Sequence, residues 1–210
     1  MSVNRKKKKK KIIFFGDSIT EFGEQPGGYI RIVRQSLNEE LVDTDYELVN
    51  AGVSGNKVYD LYLRLEEDIL AKGPTLVVLF IGINDVWHKF SKRTGTDITR
   101  FEAFYVAIIN KLASAGIKIV ICTPTVIGEH PAFAREEDEE LNAFSHLIRN
   151  ISTRYNVPLV DCRKAFIEYL VDNNDTNVAK GVLTNDEVHL NQQGNHLVAT
   201  EMWKVLKPII

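Results

Sequence analysis

The sequence predicts an α/β protein, a three-layer sandwich built on a parallel sheet of five strands. Three observations lead there. Short apolar runs rich in β-branched residues recur along the chain, helical stretches separate them, and small and polar residues gather where each run ends. An apolar run without alternation belongs to a strand covered on both faces, as in parallel sheets. Strands that alternate with helices put those covering layers on the two sides of one sheet.

The first strand is IIFF at 12–15, followed by a candidate helix at about 28–40. The second is YELVN at 46–50, with a helix at about 57–71 behind it. TLVVLFI at 75–81 is the third, and the helix at about 99–115 carries Ile98, Phe101, Phe104, Tyr105, Ile108 and Leu112 at helical spacing. IKIVIC at 117–122 is the fourth strand. Residues 124–140, rich in proline and acidic side chains, form the longest candidate for an irregular loop or a small lid. A helix at about 137–155, the strand VPLV at 157–160 and helices at about 163–171 and 191–206 complete the chain. No repeat or linker interrupts it, and 210 residues suit one core that buries roughly 70% of the unfolded surface. We expect a single domain over 11–210 after a basic tail at 1–10.

Composition narrows the function. With 28 acidic against 26 basic residues, nothing in the overall charge favours a nucleic-acid partner. The local exception is Arg5 followed by Lys6 to Lys11, read as a solvated tail, with contact to an anionic surface the alternative. The apolar stretch after it is four residues long, too short for a signal peptide, and no run approaches the ~18 residues of a membrane span. Cys122 and Cys162 form neither a Cys-x-x-Cys pair nor a zinc spacing, so a cytoplasmic protein with free thiols is expected, without a metal or organic cofactor. Homo-oligomerisation stays open.

Ligands of open α/β sheets bind outside the carboxyl ends of the strands. Here those ends are Gly16-Asp17-Ser18, the stretch from Asn50 to Asn56, Gly82-Ile83-Asn84-Asp85, Thr123-Pro124-Thr125 and Asp161-Cys162. Ser18 alone reads as a helix cap. It becomes a nucleophile if a histidine, held in one tautomer by a carboxylate, takes its proton. Of five histidines, His88, His130, His146 and His196 have no carboxylate placed by a recognisable turn, although His88 stays a minor candidate near the third strand end. His189 follows Asp186 by three residues, a spacing that one helical turn would put on a single face. An oxyanion also needs donors. The Gly55 backbone N–H and the Asn84 amide lie at the second and third strand ends, where their simpler readings are a tight turn and a loop-stabilising side chain. Asp17, Asp85 and Trp87, adjoining these positions, are expected to contact substrate, Trp87 alternatively being a buried structural aromatic.

The four blocks Gly16-Asp17-Ser18-Ile19, Ser54-Gly55-Asn56, Gly82-Ile83-Asn84-Asp85 and Asp186-Glu187-Val188-His189 resemble, in order, those of the SGNH hydrolases, the GDSL esterases and lipases. The resemblance runs from about residue 11 to the C-terminus and implies a flavodoxin-like sheet. It makes Ser18 the nucleophile and first oxyanion donor, Gly55 the second donor, Asn84 the third, His189 the base and Asp186 its orienting partner. The sequence departs from the family's short name at Ile19, where the motif has leucine. The implied activity is hydrolysis of carboxylic esters through an acyl-enzyme, on a carbohydrate, lipid or other small-molecule ester. The absence of a large inserted lid and the bulk of Trp87 and His88 favour a short acyl group such as acetyl; a lysophospholipase or thioesterase is the alternative. A phospho-receiver module could use Asp17, Asp85, Thr123 and Lys164, but Asp17 stands alone where such a module needs a carboxylate cluster for Mg²⁺. A domain that only binds carbohydrate or lipid would leave the catalytic set without a purpose.

Overall fold

The computed structural model describes residues 10–41, 46–130 and 135–210. Residues 5–9 of the basic block and 131–134 of the expected loop lie outside them. The five strands are β1 (Lys10–Gly16), β2 (Tyr46–Gly52), β3 (Leu76–Phe80), β4 (Lys118–Cys122) and β5 (Leu159–Val160). All pair in parallel, in the order β2-β1-β3-β4-β5. Every residue from Ile12 to Phe15 and from Leu76 to Phe80 is buried, so successive side chains meet protein on both faces of the sheet. That double burial is why these strands read as continuous apolar runs.

The helices are α1 (Ser18–Phe22), α2 (Tyr29–Glu40), α3 (Val58–Asp68), α4 (Ile83–Ser91), α5 (Ile98–Ser114), α6 (Glu136–Tyr155), α7 (Cys162–Asn173) and α8 (Gln192–Leu206). A 3-10 turn at Leu70–Lys72 prolongs α3. α8 packs on α2 and α7, and α5 packs on α3 and α6, which gives the sheet its two flanking layers.

Register brings the functional turns together. Gly16 lies opposite Gly52 on one side and Phe80 on the other, so β1, β2 and β3 end level and their following loops leave at one edge. The strand order reverses direction between β1 and β3, and in doubly wound sheets that switch point is where a crevice opens. Ser18 follows β1 and Asn84 follows β3.

Several boundaries differ from the sequence reading. β1 begins at Lys10, which takes Lys10 and Lys11 out of the basic tail and into the sheet. Asn50, Ala51 and Gly52 lie inside β2. α4 starts directly after β3 where a loop was expected; its start carries no side-chain cap, so the usual polar signal is missing. Gly82 bears that turn at φ +130°, a backbone region open mainly to glycine. The described parts of the expected lid are packed down: Val126 and Ile127 join the core and α6 begins at Glu136.

Candidate active site

Ser18 opens α1 and is buried, and its hydroxyl donates to His189 Nε2 at 3.0 Å. Asp17 caps the helix, its carboxylate accepting from the Ile19 N–H at 3.0 Å. Capping therefore falls to Asp17 and leaves the serine hydroxyl to the histidine. As the first helical residue, Ser18 has a backbone N–H without an intrahelical acceptor.

His189 Nδ1–H donates to Asp186 Oδ2 at 2.7 Å. The other carboxylate oxygen accepts from the backbone N–H groups of Val188 at 3.1 Å and His189 at 2.7 Å. The two side chains meet through an Asx turn, not the helical turn that the spacing suggested. Thr184 and Leu190 form an antiparallel bridge, and between them Glu187 takes a left-handed φ of +83°. Partial burial raises the Asp186 carboxyl, but the hydrogen bonds from His189 and Val188 outweigh it and hold it below the ordinary carboxylate range. An ionised Asp186 keeps the proton on Nδ1 and leaves Nε2 free to accept.

The turn is moored from beneath by Glu129. This fully buried carboxylate accepts from the backbone N–H of Val182 at 2.8 Å and Leu183 at 2.7 Å, and from both the N–H and the hydroxyl of Thr184. Gly128 N–H donates to the Glu187 carbonyl at 2.7 Å, and Arg135 pairs with the Glu187 side chain at 2.9 Å. These contacts over-determine a strained backbone that Glu187 would not adopt alone.

Asn84 lies in the first turn of α4, buried, and donates one amide hydrogen to the Asn56 carbonyl at 3.1 Å. Gly55 sits beside it in the β2–α3 loop at φ +80°, and among the described residues its N–H meets no acceptor. Arg64 of α3 ties this corner together. One guanidinium nitrogen donates to the Gly16 carbonyl at 2.9 Å and the Ala51 carbonyl at 2.8 Å, another to Asn56 Oδ1 at 2.8 Å, and a third to Asp68 at 2.6 Å. The group also stacks over Phe15, 4.5 Å from the ring centre. From the rim, Glu21 accepts from the Ser54 N–H at 2.7 Å and from its hydroxyl.

Of the residues expected to touch substrate, Trp87 is half-buried with its ring 6.2 Å from that of His189, nearly perpendicular to it. Asp17 and Asp85 are buried and engaged by protein. Asp85 accepts from the Val58 N–H at 3.2 Å and so caps α3 from across the site. Burial raises both carboxyls to about 7; mutual repulsion adds to the rise at Asp17, whose principal opposing contact is the Ile19 N–H. His88 is buried too, and burial followed by the nearby Lys92 and Lys57 lowers it to about 4. It has no bond to Ser18.

Sequence reasoning missed Phe22, Arg64, Glu129 and Glu21. Phe22 flanks His189 with ring centres 5.4 Å apart, and its position four residues after Ser18 in α1 was a usable signal. Arg64 stands between Leu61 and Leu65 on the buried side of α3, a charge at core spacing that calls for buried partners. Nothing in the spacing around Glu129 points to its role, since its partners lie more than fifty residues away.

A serine hydroxyl bonded to a neutral imidazole, itself oriented by a carboxylate, can surrender its proton as it attacks an electrophilic carbon. Free N–H groups close by can receive the resulting oxyanion. Comparison with known proteins identifies the family. The sequence pattern of the GDSL-like lipase/acylhydrolase family matches residues 14–197. An acetylxylan esterase of Geobacillus stearothermophilus is 30% identical over 206 residues, covering 90% of this chain and 90% of its own. The isoamyl acetate-hydrolyzing esterase 1 homolog of Homo sapiens is 23% identical over 209 residues, 94% of this chain and 81% of its own. Among solved structures, the acetyl xylan esterase AlAXEase superposes with a TM-score of 0.90 at 48% identity, covering 95% of this chain and 100% of that one. On this evidence the chain belongs to the GDSL-like lipase/acylhydrolase family and is a carboxylic ester hydrolase.

Proposed function

We propose that the chain is a serine acetylesterase that removes acetyl groups from neutral sugars through an acyl-enzyme on Ser18. The observation that carries this reading is the continuous hydrogen-bond chain from Ser18 through His189 to Asp186, at 3.0 and 2.7 Å. In the first step Ser18 Oγ attacks the ester carbonyl and His189 Nε2 takes its proton. Three donors receive the oxyanion: the N–H groups of Ser18 and Gly55 and the Asn84 amide hydrogen left over from Asn56. Collapse of the intermediate expels the alcohol, which leaves with the proton from His189. Water, deprotonated by the same nitrogen, then attacks the acetyl group and restores the serine. Asp17 and Asp85 act behind the site by holding the starts of α1 and α3, and Trp87 walls the space beside His189.

Two considerations support acetyl over a longer chain. Trp87 and the buried His88 follow Asn84 closely, and the Trp87 ring stands 6.2 Å from that of His189 and 5.5 Å from that of His88, bulk that leaves less room beside the nucleophile for a long acyl chain. The similar proteins above are named for acetylated xylan or for isoamyl acetate. Purified protein should release acetate from acetylated xylo-oligosaccharides, and should hydrolyse p-nitrophenyl acetate with a higher kcat/KM than the decanoate. A preference for decanoate would point to a lipid groove and a lysophospholipase or thioesterase activity instead.

A further inference from the structure

A cleft of about 640 Å³ opens on one side of His189, between the turn that follows α1 and the start of α8. Its volume lies within the roughly 300 to 1,000 Å³ usual for small-molecule sites. The walls include Phe22, Gln25, Asn185 and Gln192, with His189 and Asp186 at one boundary. Ser18, Gly55 and Asn84 do not border it, so the cleft reaches the catalytic group through His189 and Asp186.

Reaction chemistry assigns a side to each part of an ester. The carbonyl oxygen must face the oxyanion donors, while the alcohol oxygen must reach His189 Nε2, which returns the proton to it. A cleft that borders His189 on a side lined by neither Gly55 nor Asn84 therefore suits the alcohol. Its lining also specifies what kind of alcohol. Among the described residues that line it, Asp186 and His189 are the only ionisable groups, and they are bonded to each other, so that lining offers no lysine or arginine to bind a phosphate or a uronate. The lining mixes a few apolar side chains with neutral amides, a surface unlike the continuous apolar wall an alkyl chain needs.

The amides divide into two sets. Those of Asn191 and Asn195 are used internally: Asn191 Oδ1 accepts from Gly194 N–H at 3.0 Å, and Asn195 Oδ1 accepts from Tyr29 N–H at 2.9 Å. The exposed side chains of Gln25 and Gln192 have no hydrogen-bond partner among the described residues, and the Asn185 side chain spends one amide hydrogen, on the Leu190 carbonyl at 3.0 Å. Neutral donors and acceptors next to an exposed aromatic match a sugar ring, whose hydroxyls need both kinds of partner and whose C–H face can rest on Phe22, 38% exposed. We infer that this cleft is the alcohol-side subsite for a neutral oligosaccharide, with Gln25, Gln192 and Asn185 addressing its hydroxyls and Phe22 its ring face.

The inference rests on the acetyl-sugar reading above, and one experiment separates the two. The wild type and the double variant Gln25→Ala/Gln192→Ala are compared on acetylated xylotetraose and on p-nitrophenyl acetate, with unacetylated xylotetraose as competitor. Loss of two neutral hydrogen bonds should lower the ratio of kcat/KM for the oligosaccharide to that for p-nitrophenyl acetate by about tenfold, chiefly through KM. It should weaken inhibition by xylotetraose by a similar factor. If the wild type deacetylates the oligosaccharide and the variant keeps both the ratio and the inhibition, the cleft is not the subsite. If the wild type releases no acetate from the oligosaccharide while cleaving p-nitrophenyl acetate, the acetyl-sugar reading fails, and the subsite fails with it.

Discussion

Asn84 donates one of its two amide hydrogens to the Asn56 carbonyl, and the other is proposed to meet charge that exists only after Ser18 has attacked. Removing it should weaken the transition state and spare the bound substrate. Asn84→Ala is expected to lower kcat by about 10² to 10³, or about 2.7 to 4 kcal/mol, with KM little changed. Asn84→Asp should be at least as damaging, because a carboxylate cannot donate. Near-normal kcat in Asn84→Ala would make Asn84 a structural residue of the turn. The buried acids give a different signature. Burial first, and for Asp17 the neighbouring Asp85, raise both carboxyls from 3.8 to about 7 in the fold. The native state then holds more protons than the unfolded chain between those values, so their contribution to stability falls as pH rises through that window. His88, lowered to about 4, acts in the opposite direction. Asp85→Asn keeps an acceptor for Val58 N–H and removes one titration while leaving His88 in place. Urea midpoints should therefore fall further for the wild type than for Asp85→Asn between about pH 4 and about pH 8, and equal falls would contradict the assignment.

The turns on which these residues sit are held by α3 and by the segment before α6. Through one guanidinium, α3 joins the end of β1, the end of β2 and the loop whose Asn56 carbonyl positions Asn84. Lysine keeps the charge but cannot reproduce that fork. Arg64→Lys should lower kcat by about tenfold with KM nearly constant, and combined with Asn84→Ala it should cost less than the two separate losses together. Additive losses would show that Arg64 supports the fold without presetting the oxyanion donors. The same elements explain what the sequence disclosed. β1 and β3 were legible because burial on both faces leaves an unbroken apolar run, and α5 because its buried residues recur at helical spacing. α4 was not, since it follows a strand without a polar cap. Ser18, Gly55, Asn84, Asp186 and His189 could be picked out as candidates because each stands in a short block with its own local chemistry. Arg64 and Glu129 act on backbone groups far along the chain, and only the folded sheet brings those groups within reach.

At the scale of the whole molecule, parallel strands in the order β2-β1-β3-β4-β5 end level at β1, β2 and β3, and this places three of the four blocks at one switch point. The fourth comes from the far end of the chain: the turn before α8 lays His189 against Ser18 across 171 positions. Among the described residues no helix is long and apolar enough to cross a membrane. The arrangement matters chemically only if it turns Ser18 into a nucleophile, and intact-protein mass after treatment with a fluorophosphonate measures that directly. The account predicts one adduct per chain in the wild type, none in a folded Ser18→Ala variant, and much slower labelling in His189→Ala. An adduct retained by Ser18→Ala, or a wild type that stays unlabelled while hydrolysing p-nitrophenyl acetate, would contradict it.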